Sequence, residues 1–136
     1  MVRSELALVI PAFNESQMIA TVVTETQKFG DPLVVDDCSS DNTGDIAKKA
    51  GAIVVRHTKN KGYDASLNDG FKEAIARDAT IIITCDSDGQ HDPRDIKRFT
   101  DSIIAREADV VVGLRPKRVN ISDTINATPR NIPTPA

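Results

Sequence analysis

Two carboxylates stand two residues apart in Asp86-Ser87-Asp88, directly after the apolar run Ile81 to Ile83. In an open parallel sheet, side chains that follow a strand border the crevice at the carboxyl edge of the sheet. At this spacing one carboxylate can reach a cation while the other reaches a sugar or ribose hydroxyl. Hard oxygen ligands favour Mg²⁺ or Mn²⁺. The segment therefore predicts a divalent-metal site that binds a phosphate-bearing ligand.

The cation is needed because an acidic edge cannot hold a diphosphate unaided. Like charges about 4 Å apart repel by about 1 kcal/mol even in water. The loop from Pro11 to Glu15 also lacks the glycines that would let a pyrophosphate approach the backbone. A solvated acidic turn that merely precedes the next helix is the alternative.

Five short apolar runs rich in β-branched residues recur along the chain. Continuous apolar runs are typical of strands that are covered on both faces. Alternation of such strands with helices predicts an α/β fold with a mostly parallel sheet and right-handed crossovers. The runs are Leu6 to Ile10, Leu33 to Val35, Ile53 to Val55, Ile81 to Ile83 and Val110 to Val112.

Four helices are predicted between these runs from their capping residues. The first begins in a capping box formed by Asn14 and Gln17. The third turns Leu67, Phe71, Ala74 and Ile75 towards the core. The predicted helices run from Asn14 to Gly30, from Asn42 to Gly51, from Asp64 to Arg77, and from the N-cap Asp92 onward.

The ends of the predicted strands are unusually polar. Asp37 follows the second run, His57 and Asn60 follow the third, and Asp86 follows the fourth. Because the carboxyl ends of parallel strands meet at one edge, we expect carboxylates from two strands to converge there. His57 is expected to be structural, although the sequence indicates no partner for it.

Composition indicates one domain in 136 residues, with a net charge of −3 and no apolar run of membrane-spanning length. With no long basic block, nucleic acid is not expected as a partner. The short apolar start and two cysteines without metal-type spacing favour a cytoplasmic location without a lasting disulfide. Residues 1–115 are predicted to form the domain, and residues 116–136, rich in Pro, Asn and Thr, an extended or weakly ordered tail.

Several of these segments, in this order, resemble those of family 2 glycosyltransferases, especially dolichyl-phosphate and polyprenyl-phosphate sugar synthases. The resemblance implies a three-layer α/β/α GT-A fold that is truncated at its C-terminus. The matching segments are Val9 to Glu15, Val34 to Thr43, Asn60 to Gly62, Asp86 to Pro93, and Asp109 to Gly113.

The resemblance also implies roles for individual residues around a UDP- or GDP-sugar. Asp86 and Asp88 would carry catalysis, with Asp86 facing the sugar or ribose and Asp88 joining Gln90 to hold Mn²⁺ or Mg²⁺ on the diphosphate. The remaining donor-site residues would be Pro11, Phe13 and Glu15 around the base and ribose, Asp37 on the base or ribose, Asn60, Ser87, and Arg115 near the leaving diphosphate or a phosphate acceptor. Ordinary core packing is the alternative for Phe13.

The implied reaction is displacement at the anomeric carbon, with the metal stabilising the leaving nucleoside diphosphate. By the same resemblance, the acceptor half that the family carries after the fifth strand is expected to be missing or replaced by the tail. A polyprenyl phosphate, already ionised at neutral pH, could attack without a protein base, so it is the expected acceptor ahead of a sugar hydroxyl.

Two other functions stay open on sequence alone. A truncated module could bind a nucleotide-sugar or a partner without turnover. A phosphatase of the haloacid-dehalogenase type shares Asp86-Ser87-Asp88-Gly89, although that motif usually opens such chains.

An unpaired edge at Ile81 to Ile83 would favour self-association as a homo-oligomer. Any membrane contact is expected to be peripheral, at the inner face.

Overall fold

The computed structural model describes residues 6–87 and residue 98, and the architecture below concerns that part of the chain. Strands and helices alternate there, as the sequence predicts. Apart from residue 98, which is helical, the predicted fourth helix lies outside the described residues, as do the predicted fifth strand and tail. In chain order the elements are β1 Leu6–Ala12, α1 Ile19–Thr26, β2 Asp31–Asp36, α2 Thr43–Ala50, β3 Ile53–Arg56, α3 Tyr63–Ala76 and β4 Ile81–Thr84.

The four strands form one parallel sheet in the order β3-β2-β1-β4. β1 lies in the middle, where Val9 pairs with Leu33 on one side and with Thr84 on the other. Every residue of β1 is buried, which fits its uninterrupted apolar sequence. Within residues 6–87, β4 has β1 as its one strand neighbour, so the predicted self-association through its outer edge stays a prediction.

Helices cover both faces of the sheet and produce three layers. Leu8 and Ile10 of β1 belong to a core cluster with Ile19 and Val23 of α1, and Ala47 of α2 joins the same cluster. The alternate residues of β1 point the other way, and Ala7 and Val9 pack in a second cluster with Ala74 of α3. Because successive side chains of β1 point to opposite faces of the sheet, this one strand contributes to both cores of the α/β/α arrangement.

Helix α3 approaches the sheet closely at Gly70. A Cβ at this position would lie 2.4 Å from Cγ1 of Val9 and 3.1 Å from Cγ2 of Val35. Glycine therefore lets α3 lie directly on the two central strands. The helix is well placed to fix the β3–α3 loop that precedes it.

Two helix predictions need correction. The first helix begins at Ile19, not at Asn14, because Asn14 adopts a left-handed conformation with φ of 52° and hydrogen-bonds to another loop. Ile75, predicted to face the core, is 65% exposed, whereas Leu67, Phe71 and Ala74 pack against the second cluster. The predicted end of α2 is confirmed, since Gly51 caps it with φ of 111°.

No helix in the described part of the chain is both long and apolar enough to cross a membrane.

Candidate functional site

A cleft of about 320 Å³ opens at the carboxyl edge of the sheet, within the size range of ligand pockets. Every predicted donor-site residue that the structure describes lines this cleft, so the predicted convergence of strand ends is confirmed. These residues are Pro11, Phe13, Glu15, Asp37, Asn60, Asp86 and Ser87. Their roles in binding stay predictions. Asp88, Gln90 and Arg115 lie outside the described residues.

Four further residues line the cleft that were not among the predicted donor-site residues: Ala12, Gly62, Tyr63 and Ser66. Gly62 was detectable, because it ends the motif Asn60-Lys61-Gly62, and its φ of 95° turns the chain into α3. Tyr63 and Ser66 sit in the first turn of α3. The start of this helix therefore forms one wall of the cleft, which the strand-end rule does not anticipate.

The β1–α1 loop is held in place by the β2–α2 loop. Asn14 donates its backbone N–H to Oγ of Ser39 at 2.9 Å, and its side-chain oxygen accepts from the backbone N–H and the hydroxyl of Ser40 at 2.8 and 3.2 Å. These contacts offset the cost of a left-handed conformation at a residue other than glycine. Phe13 and Glu15 flank Asn14, so their positions depend on this contact.

A second set of contacts continues the link towards α2. The backbone N–H of Glu15 donates to Oγ1 of Thr43 at 2.9 Å, and that of Ser16 donates to the Asp41 carboxylate at 3.2 Å. Asp41 also accepts from the backbone N–H and the hydroxyl of Thr43. The Thr43 hydroxyl is the strongest influence on Asp41, and with the other donors it lowers the pKa of that carboxyl.

Three hydrogen bonds constrain the carboxylate of Asp37 in the cleft. Its Oδ1 accepts from the backbone N–H of Lys61 at 2.8 Å, and its Oδ2 accepts from that of Gly62 at 2.9 Å. Burial alone would raise the pKa of Asp37. The hydrogen bond to His57 and those from the two backbone groups outweigh burial and lower it. Asp37 is therefore an ionised acceptor on the cleft wall.

His57, expected to be structural, is buried at the end of β3. Its Nδ1 lies 2.8 Å from Oδ1 of Asp37, and its Nε2 lies 2.8 Å from Oδ2 of Asp69 in α3. These partners are 20 and 12 residues away along the chain, so no local pattern indicates them. Asp69 is a residue that sequence reasoning missed altogether.

Two aromatic side chains of the cleft are exposed. Phe13 is 49% exposed and Tyr63 is 57% exposed. The alternative of core packing for Phe13 is therefore wrong. Exposed aromatic rings at the wall of a polar cleft provide flat surfaces on which a planar ligand could stack.

The cleft is acidic. Glu15, Asp37 and Asp86 line it, and none of its described lining residues is Lys or Arg. Among residues 6–87 and residue 98, no group of three or more His, Cys, Asp or Glu is arranged to hold a metal ion. Asp86 and Ser87 do offer the oxygen donors that Mg²⁺ and Mn²⁺ prefer. The donor chemistry fits such a cation, while the predicted ligands Asp88 and Gln90 lie outside the described residues.

The two cysteines are both free, as predicted, but they differ in environment. Cys85 is buried, and burial followed by the nearby charge of Asp86 raises the pKa of its thiol to about 12. Cys38 is exposed and has φ of 63°. It follows Asp37 directly, and its thiol donates a hydrogen bond to the backbone carbonyl oxygen of Thr58 at 3.6 Å.

Known proteins are similar to this chain in sequence. UDP-N-acetylglucosamine–dolichyl-phosphate N-acetylglucosaminyltransferase of Methanococcus voltae is 36% identical over 129 residues, covering 81% of this chain and 51% of that protein. Undecaprenyl-phosphate mannosyltransferase of Micrococcus luteus is 30% identical over 115 residues, covering 79% of this chain and 46% of that protein. The chain thus spans about half the length of these curated relatives.

The fold is also that of solved glycosyltransferases. Glucosyl-3-phosphoglycerate synthase from Mycobacterium tuberculosis, crystallised with Mn²⁺, UDP-glucose and phosphoglyceric acid, superposes with a TM-score of 0.59 and 24% identity. The match covers 72% of this chain and 38% of that one, and it shows the expected GT-A fold. The family model described as glycosyl transferase family 2 matches residues 7–133, and the chain therefore belongs to glycosyl transferase family 2.

Proposed function

We propose that this chain binds a nucleotide-diphospho-sugar in the cleft at the carboxyl edge of the sheet and contributes to transfer of the sugar to a polyprenyl phosphate. The observation that carries the proposal is the cleft itself, in which Phe13, Asp37 and Asp86 line one cavity. These residues come from three separate loops. A cavity between loops at this edge is where open parallel sheets bind nucleotides.

The nucleoside end of the donor is proposed to lie against Asp37. A carboxylate offers about four acceptor positions, and within residues 6–87 three hydrogen bonds already use those of Asp37. Its Oδ2 accepts from Gly62 N–H and keeps a second position. That position suits an N–H donor of a base or a ribose hydroxyl, with the exposed ring of Phe13 nearby in the same cleft.

The diphosphate end is proposed to lie near Asp86 and Ser87, with Asp88 and Gln90 as ligands of Mn²⁺ or Mg²⁺. The bound cation would stabilise negative charge on the leaving nucleoside diphosphate. The acidic lining supports this arrangement, because carboxylates repel a diphosphate unless a cation lies between them. Arg115 is proposed to add positive charge near the phosphates.

A polyprenyl phosphate is the proposed acceptor. The two relatives from Methanococcus voltae and Micrococcus luteus are named for different sugars but share a lipid-phosphate acceptor. A phosphate oxygen is ionised at neutral pH and needs no general base before it attacks. Peripheral contact with the cytoplasmic face of a membrane and self-association belong to the same proposal.

Calorimetric titration with UDP, GDP and their sugar conjugates, with and without Mn²⁺, tests the donor half of the proposal. We expect binding that Mn²⁺ strengthens. If neither UDP nor GDP bound, alone or as a sugar conjugate, the proposal as a whole would be contradicted.

A transfer assay with radiolabelled donor and undecaprenyl phosphate in detergent tests the acceptor half. Labelled lipid product is the expected outcome. Metal-dependent donor binding without any transfer to lipid phosphate would favour the alternative, a nucleotide-sugar-binding module without turnover. Glu25→Gln should transfer sugar as wild type does, because Glu25 pairs with Lys28 on the surface and does not line the cleft.

A further inference from the structure

The carboxylate of Asp37 keeps one hydrogen-bonding position for a ligand. Its Oδ1 accepts from Nδ1 of His57 and from the backbone N–H of Lys61, both at 2.8 Å. Its Oδ2 accepts from the backbone N–H of Gly62 at 2.9 Å. An ionised carboxylate offers about four acceptor positions, two on each oxygen. Within the described part of the chain, Oδ1 is therefore fully used and Oδ2 keeps one position.

This occupancy of Asp37 does not depend on the charge of the imidazole ring. Burial opposes ionisation of Asp37, but the hydrogen bonds from His57, Lys61 and Gly62 outweigh it and lower the pKa of the carboxyl. An ionised carboxylate only accepts, so Nδ1 of His57 carries a proton in a neutral ring as in a charged one. The side chain of Asp37 is 8% exposed, so these three bonds hold the carboxylate in place before a ligand arrives.

A nucleotide base would meet the free position of Asp37 with its hydrogen-bonding edge. The exposed ring of Phe13 lines the same cleft, but stacking does not select a base, because every base has a π-face. Selection therefore depends on the edge. Uracil presents one ring N–H between two carbonyl oxygens, whereas guanine presents a ring N–H beside an exocyclic amine. Cytosine has an acceptor nitrogen where uracil has the ring N–H.

A single free acceptor position matches the edge of uracil. The ring N–H would donate to Oδ2 of Asp37, and an adjacent carbonyl would accept from Asn60, whose amide lines the cleft and uses one N–H on the backbone oxygen of Asp37 at 3.4 Å. Guanine would require a second acceptor beside the first, and Oδ1 is already fully used. A desolvated amine N–H without a partner costs about 1–3 kcal/mol. Cytosine would turn a lone pair towards an anion.

We propose that Asp37 is a specificity-determining residue that selects a uridine diphospho-sugar over guanosine and cytidine donors, because its carboxylate keeps a single acceptor position. This inference rests on the proposed function, because it takes the nucleotide as the ligand of Asp37. It deepens that function by naming the base, which the sequence leaves open between uracil and guanine.

Calorimetric titration of the full chain with UDP, 3-methyl-UDP, CDP and GDP in one Mg²⁺ buffer tests the selection. The four nucleotides share ribose and diphosphate, so differences in affinity arise from the base. We expect UDP to bind at least about tenfold more tightly than each of the others, equivalent to about 1.4 kcal/mol. The comparison with 3-methyl-UDP is the most direct, because its methyl group replaces the one proton that Asp37 is proposed to accept. Equal affinity for UDP and any of the other three would overturn this inference while leaving the proposed function intact. If none of the four bound, both would be contradicted.

Asp37→Asn assigns the selection to this side chain, with thermal unfolding as the check that the variant folds. We expect UDP to bind this variant more weakly, and UDP and 3-methyl-UDP to bind it within about threefold of each other. Asp78→Asn is the matched control, since it makes the same change at an exposed residue outside the cleft, where asparagine tolerates the φ of 68°. It should keep the wild-type preference. A folded Asp37→Asn variant that prefers UDP as strongly as wild type does would overturn the inference. If the variant does not fold, the comparison of UDP with 3-methyl-UDP on the wild-type chain decides.

Discussion

The side-chain oxygen of Asn14 accepts a hydrogen bond from the backbone N–H of Ser40 at 2.8 Å, joining two loops that are 26 residues apart. Asn14 thus hydrogen-bonds to the β2–α2 loop and does not cap α1. Ser39 and Asp41 strengthen the same junction from the β2–α2 side. The loop that carries Phe13 is therefore positioned by residues at the end of β2.

Asn14→Ala should destabilise the fold by about 1–3 kcal/mol, because it removes this acceptor from Ser40 and places alanine in a left-handed conformation. Urea unfolding followed by circular dichroism measures the change. Asn14→Asp is the control, since aspartate keeps an oxygen acceptor and tolerates the same backbone conformation. Equal stability of Asn14→Ala and wild type would show that the junction contributes nothing to the fold.

Gly70→Ala should lower the free energy of unfolding by about 1–3 kcal/mol, although alanine is the better helix former by about 1 kcal/mol. The added methyl group would meet Cγ1 of Val9 at 2.4 Å, in the middle of the sheet. Denaturant unfolding provides the measurement. Lys72→Ala on the exposed side of the same helix should stay within about 0.5 kcal/mol of wild type. A stabilised Gly70→Ala variant would mean that α3 lies further from β1 than described.

Phe13→Ala should leave the stability nearly unchanged but weaken nucleotide binding by about fivefold to tenfold, since the ring is exposed at the cleft. The physical reason is the loss of a stacking surface, which contributes about 1 kcal/mol for an aromatic pair. Calorimetric titration with UDP and GDP gives the affinity, and thermal unfolding gives the stability. A large loss of stability with unchanged affinity would show that the Phe13 ring packs in the core and does not contact the nucleotide.

The two thiols should react at very different rates with a disulfide reagent at neutral pH. Cys38 is exposed, whereas Cys85 is buried and its pKa is raised to about 12, so its thiolate is scarce. We expect one thiol to titrate rapidly in the native protein and the second only after unfolding. Cys38→Ser should remove the rapid phase. Two rapid phases in the native protein would contradict the burial of Cys85.

Stability should fall as the pH is lowered below about 4. The pKa values of Asp37, Asp41 and Asp69 lie below the ordinary value for aspartate. A carboxyl with a lowered pKa in the folded state stabilises the fold above its unfolded pKa, and this contribution is lost as the pH falls through the folded pKa. Urea midpoints between about pH 3 and 7 should show the decline. Asp41→Asn should make the urea midpoint fall less steeply as the pH is lowered. An unchanged slope would show that Asp41 does not contribute to the decline.

The strands were predictable because each is a continuous apolar run, and an apolar run of that length must be buried on two faces of a parallel sheet. The end of α2 was predictable for a similar local reason, since Gly51 is suited to a left-handed cap. The start of α1 was not, because Asn14 can cap its own helix or bond elsewhere, and only the fold brings Ser40 within reach. Ile75 also followed a helical period, yet it is exposed, because the buried face of α3 follows Ser66, Gly70 and Ala74 and Ile75 lies about 100° around the helix from Ala74.

The cleft itself could be predicted from the rule that parallel strands present their carboxyl ends together. The hydrogen bonds that hold the cleft residues in place could not be predicted from the sequence. Asp37, His57 and Asp69 come from a strand end, another strand end and a helix, and their hydrogen bonds depend on three-dimensional contact alone. The roles of Asp88, Gln90 and Arg115 stay predictions.

Cys38 is an exposed residue beside Asp37, while Cys85 is buried in the core. The sequence thus already provides a single attachment point for a thiol-reactive fluorophore, one residue from Asp37, the proposed nucleotide contact. A dye coupled there would report occupancy of the cleft by a change in emission. Donor binding could then be followed optically in an otherwise unaltered chain.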